Sequence, residues 1–330
     1  MAVLVAAATS VGLLADGAAR WPQAAAAVRP SGGIEPLAPE TGTRSHGCGH
    51  TLSRSAVRPG RQGVGTLVVG GATDSYIVAV PRVSRVSRVS RHSRAMRPVP
   101  LVLIFYGFAS NPAQFASLTN LPARGAAAGD LVVVPHTTGT EAEWQFSGSG
   151  TDAMFVQTLI GALEQIYCVD PSAVFATGFS AGAAFTIFYA CSHESQIAAI
   201  ATVAVDFQLG CSRPMPIMAF HGTADPEVPY QNGAEGLSLP GVKVRGTELN
   251  MGDWAKLDHC HPSPRTSVLG SQVRLQRWTG CRLGTSVTLF TIVGGGHTWP
   301  GADPRKGIGL TTEQVSATGR ILEFFGSQTR

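Results

Sequence analysis

Gly178-Phe179-Ser180-Ala181-Gly182 is the one G-x-S-x-G in the chain. It follows the β-rich run Val174-Phe175-Ala176-Thr177 and opens onto small and apolar residues from Ala181 to Ala190. A strand that turns sharply into a helix pushes a serine hydroxyl out above the sheet, and glycines on either side leave room for the turn. A hydroxyl becomes a nucleophile only beside a positioned base. His297 suits that role. It lies in Gly294-Gly295-Gly296-His297-Thr298-Trp299-Pro300-Gly301, directly after the apolar run Val287 to Val293, where a loop can present an imidazole at the carboxyl edge of a sheet. The other histidines are poorer bases. His46 and His50 lie near the linker, His92 sits in an arginine-rich stretch, and His193 shares a segment with Cys191. His221 comes just before Asp225 and reads as a residue that orients the loop. The base needs an acid to fix its tautomer. Asp225, in His221-Gly222-Thr223-Ala224-Asp225-Pro226 past the strand Pro216 to Phe220, is preferred over Asp206 and Asp258 for its tighter strand-end turn. An oxyanion requires two N–H donors. They are assigned to Ala181, which follows the nucleophile, and to Phe108 in the loop after Leu101 to Phe105. Trp144 and Trp299 are candidate walls for an aromatic acyl group.

These side chains need a scaffold. Thr66 to Val69 and Ser75 to Val80 read as an antiparallel hairpin joined by Gly70 to Asp74. From Pro100 onward, strands alternate with helices. Leu101 to Phe105 and Leu131 to Val134 are unbroken apolar runs, as expected of parallel strands covered on both faces. Asp152 to Tyr167 carries a helical stripe, Met154, Phe155, Leu159, Ile160, Leu163 and Ile166. Ala181 to Ala190 is a second helix. Ile197 to Val205, Pro216 to Phe220 and Val287 to Val293 supply further strands. A closing helix is signalled by Thr311 with Gln314 as a capping pair. The pattern specifies an α/β class: a mostly parallel central sheet with helices on both faces.

Of the 330 residues, 44% are hydrophobic and 14% charged, which supports a large core and argues against a disordered chain. The net charge of +4 is local. Six arginines (Arg82, Arg85, Arg88, Arg91, Arg94 and Arg97) fall within 82–97, around the repeat Val83-Ser84-Arg85, leaving 19 basic residues against 21 acidic. The body of the fold therefore lacks the basic face of a nucleic-acid binder, and 82–97 reads as a solvated loop insertion. Six cysteines with no C-x-x-C pair fit three disulfides in an oxidising compartment, and their spacing leaves the pairing open. His46-Gly47-Cys48-Gly49-His50 and His259-Cys260-His261 have the alternation of a metal site, but disulfide bonding of both cysteines is the simpler account. Residues 1–27 have the apolar run and small residues of a signal peptide, without the usual basic start. Residues 28–45 read as a linker, and 46–330 as one catalytic domain. No membrane association is expected.

The order Ser180, Asp225, His297 is that of α/β-hydrolases. Five segments extend the likeness: Ser45 to Gly49, Tyr167 to Pro171, Ala176 to Gly182, Phe220 to Asp225 and Gly294 to Gly301. With them the chain resembles the secreted polyhydroxybutyrate depolymerase/feruloyl esterase family over about residues 45–330. The resemblance implies an α/β-hydrolase fold and a Ser–Asp–His esterase, independent of cofactor or metal, acting on hydroxycinnamoyl, acetyl or hydroxyalkanoate esters. It further implies Cys191–Cys211 and Cys260–Cys281 disulfides, leaving Cys48–Cys168. Two departures stand out: Tyr106-Gly107 where the family usually has His-Gly, and Ala181-Gly182-Ala183 where it often has Asn-Gly-Gly after the nucleophile. The rival readings are a catalytically silent binding protein or a peptidase of the same fold.

Overall fold

The apolar runs become the middle of one sheet in the computed structural model, which describes residues 45–82, 98–108, 110–137, 143–231 and 245–328. The signal peptide, nearly all of the linker and the arginine-rich stretch beyond Arg82 lie outside the described residues. In chain order the elements are β1 (Gln62–Val69), β2 (Ala72–Ala79), β3 (Val99–Phe105), α1 (Pro112–Thr119), α2 (Leu121–Ala128), β4 (Leu131–Pro135), α3 (Thr151–Ile166), β5 (Val169–Phe179), α4 (Ala181–Ser192), β6 (Ala199–Val203), β7 (Ile217–Gly222), α5 (Thr247–Leu257), β8 (Arg265–Leu269), β9 (Val273–Trp278), β10 (Val287–Ile292) and α6 (Ala317–Gln328).

Among the described residues the sheet runs β1-β2-β4-β3-β5-β6-β7-β10-β9-β8. The strands β4, β3, β5, β6, β7 and β10 are parallel, and antiparallel pairs close both ends. Every residue of Leu101 to Phe105 and of Leu131 to Val134 is fully buried, the burial that unbroken apolar strands require. Both faces are covered. Phe105 packs edge-on against Phe185 of α4, while Phe175 stacks on Phe325 of α6. Phe105 pairs in register with Gly178, three residues from Phe175, so alternation along β5 puts the two contacts on opposite faces.

Two expectations need correction. Gly70 and Gly71, at φ 59° and 87°, close the first hairpin in two residues, and Ala72, Thr73 and Asp74 already pair in the ladder. Consecutive left-handed glycines match the twist of a two-residue hairpin turn, so no longer loop is needed. Thr311 and Gln314 do not cap the last helix. Gln314 Oε1 accepts the Gln272 N–H, and Ser316 instead accepts from Gly319 N–H in the first turn of α6. Gln314, with Thr312, ties this loop to the turn of the β8–β9 hairpin through Ser271 and Gln272, while the Thr311 hydroxyl is buried with no hydrogen-bond partner among the described residues.

All six cysteines are in disulfides: Cys48–Cys168, Cys191–Cys211 and Cys260–Cys281. The cysteines that the alternative metal reading required are thereby committed. Among the described residues no helix is long and apolar enough to cross a membrane.

Candidate active site

Ser180 stands between β5 and α4 with φ 54° and ψ −123°, a left-handed strain that L residues adopt only where the surroundings enforce it. The flanking glycines show what enforces it. A Cβ on Gly178 would lie 2.3 Å from the Gly182 carbonyl oxygen, and one on Gly182 would lie 2.2 Å from that of Phe105. Neither position has space for a side chain, because strand, turn and helix close tightly around the serine. The Ser180 N–H donates to the Val203 carbonyl of β6, and its own carbonyl accepts from Ala183 and Ala184. Ala181 is the first residue of α4, so its N–H has no acceptor within the helix.

Gly107 brings a second stretch of backbone over the serine, with a Cβ there 3.4 Å from that of Ser180. The adjoining Phe108 is 63% exposed. Tyr106 is turned away into the core. Its hydroxyl accepts the Thr137 N–H at 3.0 Å, and its carbonyl accepts the Trp144 Nε1–H at 2.8 Å. The Tyr-for-His departure thus faces the interior while the main chain of the loop stays beside Ser180.

The candidate acid and base, Asp225 and His297, hang from the neighbouring strands β7 and β10, which pair in parallel through His221 and Thr291. Asp225, just past β7, uses both oxygens. Its Oδ1 accepts the N–H groups of Glu227 and Val228, each at 2.9 Å, and its Oδ2 accepts His297 Nδ1–H at 2.8 Å. Burial tends to raise the Asp225 pKa. The bond to and charge of His297, the Val228 N–H and the charge of His221 outweigh it and hold the carboxyl below its ordinary value. His297 is fixed by its main chain, its N–H donating to Ile308 at 2.8 Å while its carbonyl accepts from Ile308 at 3.2 Å. The ring rests on Phe179, centroids 4.7 Å apart. With Nδ1 committed to Asp225, Nε2 is the nitrogen left for a reacting group.

Ser180 and His297 line one cavity of about 260 Å³ with Gly107, Phe108, Phe179 and Trp299. Trp299 belongs to this wall and anchors its Nε1–H on Thr318 at 3.0 Å. Trp144 does not. It is 1% exposed, stacked on Phe185 at 4.7 Å and edge-on to Phe105, so it is core and acts only by supporting the Tyr106 carbonyl. The competing acids are also placed. Asp206 bonds to His221 and Asn250, and Asp258 accepts the Met215 N–H beyond α5. His221 does orient the acid's turn, through the Val228 carbonyl at 2.8 Å. The strap that clamps His297, Ile308 to Leu310, escaped the sequence reading; its only signal was the glycine pair Gly307 and Gly309.

No protein-family model matches the chain. It is 28% identical over 217 residues to feruloyl esterase B of Piromyces equi, covering 61% of this chain and 40% of that protein. To the putative esterase NocK of Nocardia uniformis subsp. tsuyamanensis it is 25% identical over 254 residues, 68% of this chain and 73% of the relative. To feruloyl esterase D of Neurospora crassa it is 30% identical over 179 residues, 53% and 56% respectively. The chain thus spans less than half the length of feruloyl esterase B. Among solved structures, an acetyl xylan esterase from Aspergillus awamori superposes with a TM-score of 0.52 at 14% identity, covering 80% of this chain and 99% of that one.

Proposed function

We propose that this chain, whose fold is that of the α/β hydrolases and whose sequence is similar to feruloyl esterases, is a serine carboxylic-ester hydrolase. Ser180 is the nucleophile, His297 the base and Asp225 the acid. The observation that carries the reading is the 2.8 Å bond from His297 Nδ1 to Asp225 Oδ2, with Ser180 held at a strained strand–helix turn on the same cavity.

In the first step His297 Nε2 takes the Ser180 proton as Oγ attacks the ester carbonyl carbon. The carbonyl oxygen becomes an oxyanion, received by the N–H groups of Ala181 and Phe108. His297 then returns the proton to the alkoxy oxygen, and the alcohol leaves an acyl-serine. Water, deprotonated by the same imidazole, repeats the sequence and releases the acid. Asp225 holds the tautomer that leaves Nε2 as the acceptor and stabilises the imidazolium.

The substrate class is feruloyl or acetyl esters of plant polysaccharide, with Phe179 and Trp299 flanking the acyl group. Names of the relatives support this choice: Feruloyl esterase B, Feruloyl esterase D, and the Bifunctional acetylxylan esterase/xylanase XynS20E of Neocallimastix patriciarum. Polyhydroxybutyrate is the competing polymer. Three disulfides fit export into an oxidising compartment.

Labelling with a fluorophosphonate, alongside a panel of methyl ferulate, p-nitrophenyl acetate, acetylated xylan and a polyhydroxybutyrate film, tests the proposal. Wild type is expected to label and to hydrolyse methyl ferulate or acetylated xylan, and Ser180→Ala to do neither. A folded wild type that never labels overturns the assignment. Hydrolysis confined to the film replaces the substrate class.

A further inference from the structure

Behind Asp225 lies a second imidazole that acyl transfer does not use. His221, in β7, is 3% exposed. Its Nδ1 is 2.6 Å from Asp206 Oδ2 and 2.9 Å from Thr247 Oγ1. Its Nε2 is 2.8 Å from the Val228 carbonyl oxygen and 3.7 Å from Asp225 Oδ2. A carbonyl oxygen can only accept, so Nε2 carries a proton, and the Asp206 carboxyl oxygen 2.6 Å away places an acceptor for a second proton on Nδ1. A ring with both protons is an imidazolium. Asp206 is held in turn, its Oδ1 accepting from Asn250 Nδ2 at 2.8 Å. Asp225 Oδ2 therefore sits between two imidazoles, His297 at 2.8 Å and His221 at 3.7 Å.

We propose that His221 is a positioning residue: a buried cation, locked by Asp206 and the Val228 carbonyl, that keeps Asp225 ionised and aimed at His297. The inference deepens the esterase reading and rests on it for its kinetic consequence. The protonation state it assigns to His221 does not depend on catalysis.

The surroundings agree in sign. Burial alone pushes the His221 pKa down. The charge and hydrogen bond of Asp206, the Val228 carbonyl and the charge of Asp225 override it and raise the pKa above the ordinary imidazole value. The groups facing the ring are Asp206 beyond β6, Asp225 beyond β7, and Thr247 and Asn250 on α5. The Tyr230 ring stands edge-on with centroids 5.6 Å apart. The hydroxyl of Tyr230 bonds Glu248 and Thr291. Arg245 pairs with Asp253 and Arg274 with Glu248, both more openly exposed. One cation thus serves two buried carboxylates. Without it, Asp225 would present a charge compensated only by the ring whose proton must come and go in each turnover.

Two measurements on the full chain test this. The first is ¹⁵N NMR with labelled histidine. Both nitrogens of His221 are expected to be protonated at pH 7, and Asp206→Asn to return the ring to a single proton. A wild-type His221 bearing one proton at pH 7 overturns the proposal. This arm needs no variant to fold and no substrate.

The second is the pH dependence of ester hydrolysis by His221→Gln and Asp206→Asn, normalised to sites counted by fluorophosphonate. The expected result is a kcat about 10-fold lower with KM changed less than about twofold. The acid limb of kcat/KM should move to higher pH by about half a unit, since losing the positive charge nearest Asp225 favours protonation of the base. A merely structural His221 would reduce the number of labelled sites and leave kcat per site and the acid limb where they were, which overturns the kinetic claim. A wild type that neither labels nor hydrolyses esters defeats the esterase reading instead, while the NMR arm still decides the charge on His221.

Discussion

Both oxygens of Asp225 are occupied, two backbone N–H groups on one side and the His297 Nδ1–H on the other, so in the proposed triad its contribution is tautomer and orientation more than bulk charge. Asp225→Asn keeps the size and one acceptor, but can turn an amide N–H toward His297 and favour the wrong tautomer. Steady-state kinetics should show kcat falling about 10³- to 10⁴-fold with KM little changed, and circular dichroism an intact fold. Gly182→Ala is expected to act differently. The new methyl meets the main-chain carbonyls of Phe105 and Tyr106 at 2.2 and 2.4 Å, and neither can move without disturbing β3. Denaturant unfolding should show a loss of about 3 kcal/mol or more. The residues flanking Ser180 were legible in the sequence because this steric demand leaves glycine as the only solution at two fixed positions. Trp144 was not legible. An indole reads alike in a pocket wall and a core, and only its bond to the Tyr106 carbonyl, 38 residues distant, separates the two.

Among the elements, those buried on both faces announced themselves, and those with mixed or short patterns did not. α1 and α2 are eight residues each, joined through Asn120 at φ 51°. Neither is long enough to display a periodic stripe. The usable signals were Asn111, which caps Gln114 N–H, and the prolines early in each helix. At the far end of α2, Asp130 follows Gly129, beside the negative pole of the helix. Burial raises its pKa from 3.8 to about 6. The raised value means the folded state prefers the neutral acid. Its stabilising contribution is complete below the unfolded value and is lost as pH climbs through about 6. The displacement is worth up to about 3 kcal/mol, and partial exposure brings it to roughly 1–2 kcal/mol. Asp130→Asn should therefore raise stability by that amount at pH 8, with the difference vanishing near pH 3.5, as measured by urea unfolding at both. In β6, Thr202 Oγ1 is buried with no hydrogen-bond partner among the described residues. Thr202→Val, of the same shape, is expected to stabilise by about 1 kcal/mol in thermal melts.

For the whole molecule, sequence alone could count the disulfides but not pair them, because pairing depends on where the strands cross in space. The Cys48–Cys168 bridge closes a separation of 120 residues, and Cys191–Cys211 and Cys260–Cys281 close 20 and 21. If loop-closure entropy dominates, replacing both cysteines of the first pair by serine costs about 5 kcal/mol and of either short pair about 3. Guanidinium unfolding of the three double variants would reveal that ranking, or its absence. Chain order alone suggests that Asp225, His297 and Ser180 belong to one site, yet the clamp on His297, its pairing with Ile308, belongs to a loop without periodicity.

Ser180 and His297 rise from strands three places apart in the sheet, β5 and β10. With neighbouring strands about 4.8 Å apart, their roots are separated by roughly 14 Å. Gly294-Gly295-Gly296 brings the chain from β10 back against the end of β7, where the Gly295 carbonyl accepts the Ala224 N–H at 2.8 Å and a Cβ on Gly222 would lie 2.2 Å from that oxygen. In the proposed mechanism this arm, like the jib of a crane, supplies the imidazole's reach. Working distance is therefore stored in the reach of that arm and not in the spacing of the pillars. Removing one glycine from it should leave a sound building whose hook hangs short of its load.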